Sequence, residues 1–255
     1  MSQSAAAGRE GARRVAVVTG GSGGIGRACA ERLAADGFAV VVHYAGNPGR
    51  AKEVAEAVAA AGGAASTAQA DVADVAQVAS LFDGAEQEFG GVDVVVNTAG
   101  VMRLATLVEA DLSEGGAVDE MLRTNVRGAL VVSAEALRRV RPGGALINFS
   151  TSITRFSFPT YAAYAATKGA VEAVTPVLAK EAAGRDVTVN AVAPGPTATP
   201  LFLEGKDEAT IARMASLNPM GRLGEPGDIA EVVAFLAGPG RWVNGQVLFA
   251  NGGAV

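Results

Sequence analysis

Apolar, β-rich runs alternate with segments of helical spacing along nearly the whole of this chain of 255 residues. The clearest runs are RVAVVTG, FAVVVHY, VDVVVNTAG, GALINFS and DVTVNAVAPG, and the weaker AASTAQADV and GQVLFANGG complete a set of seven. Most of them are continuous rather than alternating, which is typical of strands buried on both faces. The pattern predicts an α/β fold, a doubly wound parallel sheet of about seven strands with helices on both faces.

The domain organisation follows from an even composition. The chain is 49% hydrophobic, enough for a sizeable core, and neither a linker nor a composition shift interrupts it. Residues 14–255 are therefore expected to form a single domain behind a disordered tail, residues 1–13. The tail lacks an apolar core of signal-peptide length, and no stretch reaches about 18 apolar residues. We predict a cytoplasmic protein with no membrane partner.

Charge and rare residue types exclude several classes of function. A net charge of −5 and scattered basic residues argue against a nucleic-acid partner. Cys29 is the only cysteine, so neither an internal disulfide nor a cysteine metal cluster is available, and no metal site is predicted. His43 is the only histidine, and nothing near it in the sequence supports a Ser–His–Asp hydrolase.

A glycine-rich turn, TGGSGGIG at residues 19–26, joins the first predicted strand to the first predicted helix. In a doubly wound sheet, ligands bind at the carboxyl ends of the strands. Glycines let the backbone approach a pyrophosphate, and the amides of the helix N-terminus face the anion. The spacing Gly20, Gly24, Gly26 departs from the common GxGxxG, so a plain glycine-rich turn remains the alternative.

A second signal is the pair Tyr164 and Lys168, four residues apart on a predicted helix and hence on one face. A nearby ammonium favours the phenolate, which makes the tyrosine a usable general acid or base. A surface pair without function is the alternative for this spacing in isolation. Tyr161 cannot form the same pair, because the residue four positions after it is Ala165.

Taken together, these motifs resemble the classical short-chain dehydrogenase/reductase family, in its order and spacing, from about residue 13 to the end. The matching segments are TGGSGGIG, ADV at 70–72, NTAG at 97–100, TNV at 124–126, INFSTS at 147–152, YAATK at 164–168 and NAVAPGPTAT at 190–199. The resemblance implies a Rossmann-like single domain, a nicotinamide cofactor, hydride transfer between a carbinol and a carbonyl, and a homotetramer.

The resemblance also implies the catalytic roles. Tyr164 is the acid in reduction and the base in oxidation, and Lys168 also binds the nicotinamide ribose. Asn125 interrupts its helix and holds a water that relays protons to Lys168. The family places a serine thirteen residues before the tyrosine to bond the substrate oxygen. That spacing gives Thr151, whereas the chemistry favours the neighbouring Ser152, and both stay candidates.

The cofactor contacts implied by the resemblance fall into four groups. They are Gly20, Ser22, Gly24, Ile25 and Gly26 at the pyrophosphate, Asp71 and Val72 at the adenine, Asn97, Ala99 and Gly100 at the adenosine ribose, and Pro194, Gly195, Thr197 and Thr199 at the carboxamide. Tyr164 and Lys168 complete the set at the nicotinamide end.

The choice of nucleotide depends on the end of the second strand. NAD-specific members carry an acidic residue there that holds the ribose 2′-hydroxyl, whereas this chain has Tyr44. Without that carboxylate a 2′-phosphate is not repelled, and Ser22, Asn47 or Arg50 would contact it. Arg50 also fits a solvated helix start. The sequence predicts NADP(H) in preference to NAD(H).

The substrate is less readable. A lid segment, about residues 199–218, is expected over the pocket, and Phe156, Phe158, Phe202 and Met214 would line an apolar cavity or pack in the core. Among family members the chain resembles 3-oxoacyl-carrier-protein reductases, with a 3-oxoacyl thioester or another ketone as substrate. An acidic acyl carrier protein would need a basic patch, for which Arg141 and Arg185 are candidates, although solvated helix and loop faces also account for them.

Two functional hypotheses follow from these motifs. The first is an NADP(H)-dependent oxidoreductase that interconverts a carbonyl and a secondary alcohol. The alternative is an NADP(H)-binding sensor or scaffold of the same fold without turnover. The set Asn125, Tyr164 and Lys168 favours the enzyme, and the Tyr–Lys pair disfavours a methyltransferase on a similar sheet.

Overall fold

The computed structural model describes residues 13–255, so the predicted tail lies outside the described residues except for Arg13. Within that range, seven parallel strands form one sheet in the order β3-β2-β1-β4-β5-β6-β7. The strands are β1 (Val15–Thr19), β2 (Ala39–Tyr44), β3 (Ala64–Gln69), β4 (Val92–Asn97), β5 (Val140–Phe149), β6 (Thr188–Pro194) and β7 (Val247–Ala250). The predicted doubly wound, Rossmann-like sheet is confirmed.

Helices cover both faces of the sheet. They are α1 (Gly24–Ala35), α2 (Pro48–Ala60), α3 (Val75–Phe89), α4 (Ala117–Met121), α5 (Ala129–Arg139), α6 (Ile153–Phe156), α7 (Ala162–Glu181), α8 (Pro200–Leu203), α9 (Glu208–Ala215) and α10 (Pro226–Ala237). The segment predicted as a lid contains α8 and α9. None of the helices in the described part of the chain has the length and apolarity that a membrane crossing requires.

The side chains of the central strand β1 contribute to two hydrophobic cores, one on each face of the sheet. Successive side chains of a strand point to opposite faces. Ala16 and Val18 pack with α1, α2 and α10 on one face, whereas Val17 packs with α3 and α5 on the other. All three side chains are fully buried, which explains why the run is apolar without alternation.

Helix ends are set by local capping. Asp74 precedes α3, and its carboxylate accepts hydrogen bonds from the backbone N–H groups of Ala76 and Gln77 at 2.9 and 3.0 Å. Gly90 ends the helix in the left-handed region, at a φ of +83°. These caps satisfy N–H and C=O groups that a helix leaves unpaired at its ends.

Between α4 and α5 the chain forms a π-helical turn, Leu122–Gly128, with Asn125 at its middle. The expected interruption of the helix at Asn125 is confirmed. π-helical turns inside α-helices are rare and occur often at functional sites. The turn packs against α7, which carries Tyr164 and Lys168.

Candidate active site

A cavity of about 590 Å³ lies at the carboxyl ends of the strands. Its wall includes the turn after β1, Tyr44 at the end of β2, Phe149 at the end of β5 and Pro194 at the end of β6. The strand order reverses between β1 and β4, and ligands of open α/β sheets bind in the crevice at this point. This cavity is the candidate active site.

In the turn between β1 and α1, two stretches of backbone approach each other so closely that no side chain fits between them. Gly20 has a φ of +64°, and a Cβ added to Gly26 would lie 2.3 Å from the carbonyl oxygen of Gly20. Bare backbone at the N-terminus of α1 suits an anionic group such as a pyrophosphate. The residues present therefore fit the phosphates of a dinucleotide.

His43 fixes this turn, a role that the sequence analysis did not assign. The backbone N–H of Gly20 donates to its Nδ1 at 3.0 Å, which leaves Nε2–H to donate to the carbonyl of Ala70 at 2.9 Å. Burial lowers the pKa of His43, so the imidazole is neutral at pH 7. The only histidine of the chain is thus a structural tie between the glycine turn and the end of β3.

Most of the predicted site residues line the cavity. They are Gly20, Ser22, Gly24, Ile25, Gly26, Tyr44, Asn47, Val72, Ala99, Gly100, Thr151, Ser152, Tyr164, Lys168, Pro194, Gly195, Thr197 and Thr199. Asp71, Asn97 and Asn125 are not part of its wall, and neither is Arg50.

The side chains of Asp71 and Asn97 are held elsewhere by bonds within the protein. Asp71 forms an ion pair with Arg123 at 2.6 Å, and this guanidinium keeps the pKa of the carboxyl below its usual range. Asn97 is buried between strands, where it accepts from Thr19 Oγ1 at 2.8 Å and donates to Asn148 Oδ1 at 3.0 Å. The structure places neither side chain in the wall of this cavity, and their expected contacts with the adenine and the adenosine ribose stay predictions.

Asn125 lies directly behind the cavity wall. Its Oδ1 accepts from the backbone N–H of Val101 at 2.8 Å, and its Nδ2 donates to the carbonyl of Val101 at 2.8 Å and to Thr167 Oγ1 at 3.1 Å. A Cβ on Gly100 would lie 3.2 Å from Asn125 Oδ1 and 3.5 Å from Lys168 Nζ. The amide therefore fixes the backbone that separates it from Lys168.

Tyr164 and Lys168 share one face of α7, as their spacing predicts. Lys168 Nζ lies 5.9 Å from the centroid of the Tyr164 ring and donates to the carbonyl of Phe149 at 2.9 Å. Burial lowers the pKa of Lys168 to about 8 and raises the pKa of Tyr164. The sequence predicts that the nearby ammonium lowers the pKa of Tyr164, but the loss of solvent around the buried phenol has the larger effect and raises it.

Three consecutive hydroxyl groups after β5 line the cavity, and two of them are engaged within the protein. Ser152 Oγ donates to the carbonyl of Ala193 at 3.2 Å and accepts from Asn251 Nδ2 at 3.1 Å. Ser150 Oγ donates to Glu172 Oε1 at 2.7 Å. Both serines are almost fully buried, and their bonds tie the end of β5 to its neighbours.

Thr151 differs from the two serines on either side of it. Its side chain is half-buried, and its Oγ1 only accepts a long contact of 3.4 Å from the backbone N–H of Ile153. The hydroxyl hydrogen has no acceptor within residues 13–255. Of these three residues, Thr151 is thus the one whose hydroxyl remains able to donate to a molecule in the cavity.

The end of the cavity near Tyr164 is mainly apolar and aromatic. Phe156, Tyr161, Phe202 and Met214 line it, together with other apolar residues of α6 and the segment 199–218. Phe158, which was also expected there, is not part of the wall. It stacks on Phe156 with ring centroids 5.0 Å apart and an interplanar angle of 7°.

The opposite end of the cavity lies at Tyr44. Ser22 and Asn47 also line it, and Asn47 caps α2 by accepting from the backbone N–H of Arg50 at 3.0 Å. This cap engages the amide oxygen and leaves the NH₂ group of Asn47 available. The Arg50 side chain is exposed on the first turn of α2, in line with a solvated helix start.

The basic residues considered for a carrier protein lie at the other edge of the sheet. Arg141, at the amino end of β5, donates from Nε to Asp93 Oδ1 at 3.0 Å. Arg185, just before β6, donates to the carbonyl of Val140 at 3.1 Å. Both guanidinium groups thus brace strand starts away from the cavity, and the structure adds no support for a carrier-protein patch at these two residues.

Comparison with known families and proteins gives a consistent result. A family model described as enoyl-(acyl carrier protein) reductase matches residues 20–255. A short-chain type dehydrogenase/reductase of Picea abies is 45% identical over 253 residues, covering 95% of this chain and 92% of that protein. The chloroplastic NADPH-dependent aldehyde reductase 2 of Arabidopsis thaliana is 42% identical, covering 96% of this chain and 94% of that protein.

A solved structure extends the similarity to three dimensions. The crystal structure of a short chain dehydrogenase from Burkholderia cenocepacia, in complex with NADP, superposes with a TM-score of 0.87 at 37% identity. The match covers 95% of this chain and 97% of that one. Fold, cavity position and motif order thus agree with one family of oxidoreductases.

Proposed function

The chain belongs to the short-chain dehydrogenase/reductase family, and from this premise we propose that it is an NADP(H)-dependent reductase of ketones or aldehydes. The observation that carries the proposal is the convergence of Tyr164, Lys168 and Thr151 on one cavity, beside a cradle of bare backbone. When bound, the nicotinamide nucleotide supplies a hydride to the carbonyl carbon. The residues of this chain supply the proton and the positioning.

Tyr164 is the proton donor of this proposal. In reduction its hydroxyl gives a proton to the carbonyl oxygen, and in oxidation the phenolate takes one from the alcohol. Its raised pKa keeps the phenol protonated at neutral pH, which suits an acid. Lys168, whose pKa is lowered to about 8, is buried beside it and replenishes the proton. The relay through Asn125 stays a prediction.

Thr151 holds the substrate oxygen in this proposal. Its hydroxyl lines the cavity and donates to no group within the described residues, whereas Ser152 is bonded to Ala193 and Asn251. A donor aimed at the carbonyl oxygen stabilises the charge that develops there. The spacing of thirteen residues before Tyr164 favours the same hydroxyl.

The preference for NADP(H) rests on the end of the cavity at Tyr44. No carboxylate lines the cavity among the described residues, so a 2′-phosphate meets no repulsion. The Ser22 hydroxyl and the Asn47 NH₂ group are available as donors to it. The NADPH-dependent relative of Arabidopsis thaliana and the NADP complex of the Burkholderia cenocepacia protein support this preference.

The test is a screen of NADPH oxidation over aldehydes, aryl ketones, diketones, quinones and 3-oxoacyl thioesters, with enoyl thioesters included because of the matching family description. We expect turnover of carbonyl compounds, and a loss of at least about 100-fold in kcat for Tyr164→Phe with NADPH affinity retained. Nucleotide binding without turnover of any compound would instead support the sensor. Turnover of enoyl thioesters alone would contradict carbonyl reduction.

Assembly and location complete the proposal. The homotetramer that the family resemblance implies stays a prediction, and the exposed side chains of Trp242, just before β7, and of Phe235 on α10 are candidates for an interface. Light scattering coupled to size-exclusion chromatography would give the mass of four chains. A cytoplasmic location stays a prediction, since the relatives include proteins that are named as chloroplastic.

A further inference from the structure

Tyr161 lies in the cavity wall without a role in the proposed proton transfer. It directly precedes α7, its side chain is 7% exposed, and its ring lies edge-on between two others. The ring centroids are 6.3 Å from Phe158 and 6.5 Å from Tyr164, at interplanar angles of 61° and 64°. The aromatic packing accounts for the ring but not for its hydroxyl.

The hydroxyl of Tyr161 has no hydrogen-bond partner in the described part of the chain. Polar groups of folded proteins take their hydrogen bonds from the protein or from the molecules around it. The oxygen is not among the atoms sealed in the protein interior, and the side chain lines the cavity. A molecule in the cavity is therefore the available partner for this phenol.

The surroundings of Tyr161 restrict what that molecule is. Phe156 and Phe202 line the same end, and Lys168 is the only lysine or arginine in the wall formed by the described residues. No aspartate or glutamate of these residues lines it. A wall of apolar and aromatic side chains, with the uncharged hydroxyl of Tyr161 in addition to those of Thr151 and Tyr164, suits an uncharged aromatic body that carries a polar atom besides the reacting carbonyl oxygen.

The position of Tyr161 beside Tyr164 relates that polar atom to the reacting carbonyl. The two rings both line the cavity, and their centroids lie 6.5 Å apart, so one small molecule is large enough to contact both phenols. We propose that Tyr161 bonds a second oxygen of the substrate, so that the enzyme selects uncharged aromatic ketones with another carbonyl or hydroxyl near the reacting one. This inference rests on the proposed function and assigns a substrate class to the same cavity.

The experiment compares two probes that differ in one oxygen, 1-phenylpropane-1,2-dione and 1-phenylpropan-1-one, with NADPH as reductant. In Tyr161→Phe, kcat/KM for the dione should fall about tenfold, because the site loses one hydrogen bond. The value for the monoketone should stay within about twofold of wild type. Each probe is compared with itself across variants, so intrinsic carbonyl reactivity cancels.

A matched control separates hydrogen bonding from packing. Phe158→Leu disturbs the same ring cluster without touching a hydroxyl, and it should lower kcat/KM for both probes by the same factor. Reduction of the dione alone by the wild type, with the loss in Tyr161→Phe, also supports the inference. Three results would overturn the inference without affecting the proposed reductase activity. They are equal losses on both probes in Tyr161→Phe, no loss on either probe, and reduction of the monoketone alone.

Failure of the wild type on both probes would overturn the assigned substrate class. Only failure on every carbonyl compound of the wider screen would overturn the reductase.

Discussion

The two ends of the cavity differ in which groups are free to contact a bound molecule. At the nucleotide end the glycine turn contributes bare backbone, and the side chains of His43 in the wall and of Asp71 and Asn97 outside it are bonded within the protein. At the substrate end the wall is side chain, and the hydroxyls of Thr151 and Tyr161 have no acceptor within residues 13–255. The nucleotide end is thus a frame for the cofactor, and the contacts that select the substrate lie at the other end.

The largest expected effect tests the frame. In Gly26→Ala the new Cβ would lie 2.3 Å from the carbonyl oxygen of Gly20, so the turn must shift. A misplacement of about 1 Å can lower the rate of an enzyme about 100-fold. We expect NADPH affinity, measured by fluorescence titration, to fall by a comparable factor. Gly84→Ala, on exposed helix where a Cβ meets nothing within 4 Å, is the matched control and should bind normally. Equal NADPH affinity in both variants would show that the glycine turn does not position the nucleotide.

The second prediction contrasts Thr151 with Ser152. Thr151→Val should lower kcat by about 10-fold to 100-fold with little change in melting temperature, because it removes a donor to the substrate oxygen. Ser152→Ala should act mainly on stability, by about 1–3 kcal/mol, because it leaves the Asn251 amide unpaired. Steady-state kinetics and urea unfolding measure the two effects. A reversal of the pattern would move the substrate contact to Ser152.

The third prediction concerns the end of β2. Tyr44→Asp adds an acceptor for a ribose 2′-hydroxyl and repels a 2′-phosphate, so the ratio of NADPH to NADH affinity should fall by more than about tenfold. Tyr44→Phe is the control and should keep the ratio. Unchanged preference in the aspartate variant would show that this strand end does not select the nucleotide.

The last prediction concerns stability rather than binding or turnover, as a function of pH. Lys168 keeps its proton up to about pH 10.5 when unfolded but releases it near pH 8 when buried, so the unfolded chain binds more protons between these values. Wild-type stability should therefore gain from this group as pH rises from 8 to 10, on the order of 3 kcal/mol at most. Lys168→Met should lack the gain, and Lys180→Met, exposed on the same helix, should retain it. Urea unfolding at several pH values that gives parallel curves for all three proteins would contradict the burial effect.

The sequence predicts the frame well, because that frame depends on local patterns. Continuous apolar runs mark the buried strands, and the glycines of residues 19–26 mark the turn. What the sequence leaves open depends on contacts between distant residues. The pairing of Arg141 with Asp93 and that of Asp71 with Arg123 have no signal in the local sequence.

The substrate end is less predictable for the same reason. Thr151 and Ser152 are chemically similar, and the choice between them depends on Asn251, 99 residues further along the chain. Tyr161 lacks a lysine partner in the sequence, so its significance comes only from its burial in the cavity wall. No spacing rule reveals an unpartnered hydroxyl, because the absence of a partner is a property of the folded protein.

The central claim is that hydride passes from NADPH to a carbonyl carbon while Tyr164 supplies the proton. The most direct measurement uses NADPH with both nicotinamide C4 hydrogens replaced by deuterium and the best carbonyl substrate from the screen, with the product analysed by mass spectrometry. The account predicts one deuterium on the carbinol carbon, and formation at least about 100-fold slower in Tyr164→Phe. An alcohol without deuterium, or an unchanged rate in the variant, would contradict it.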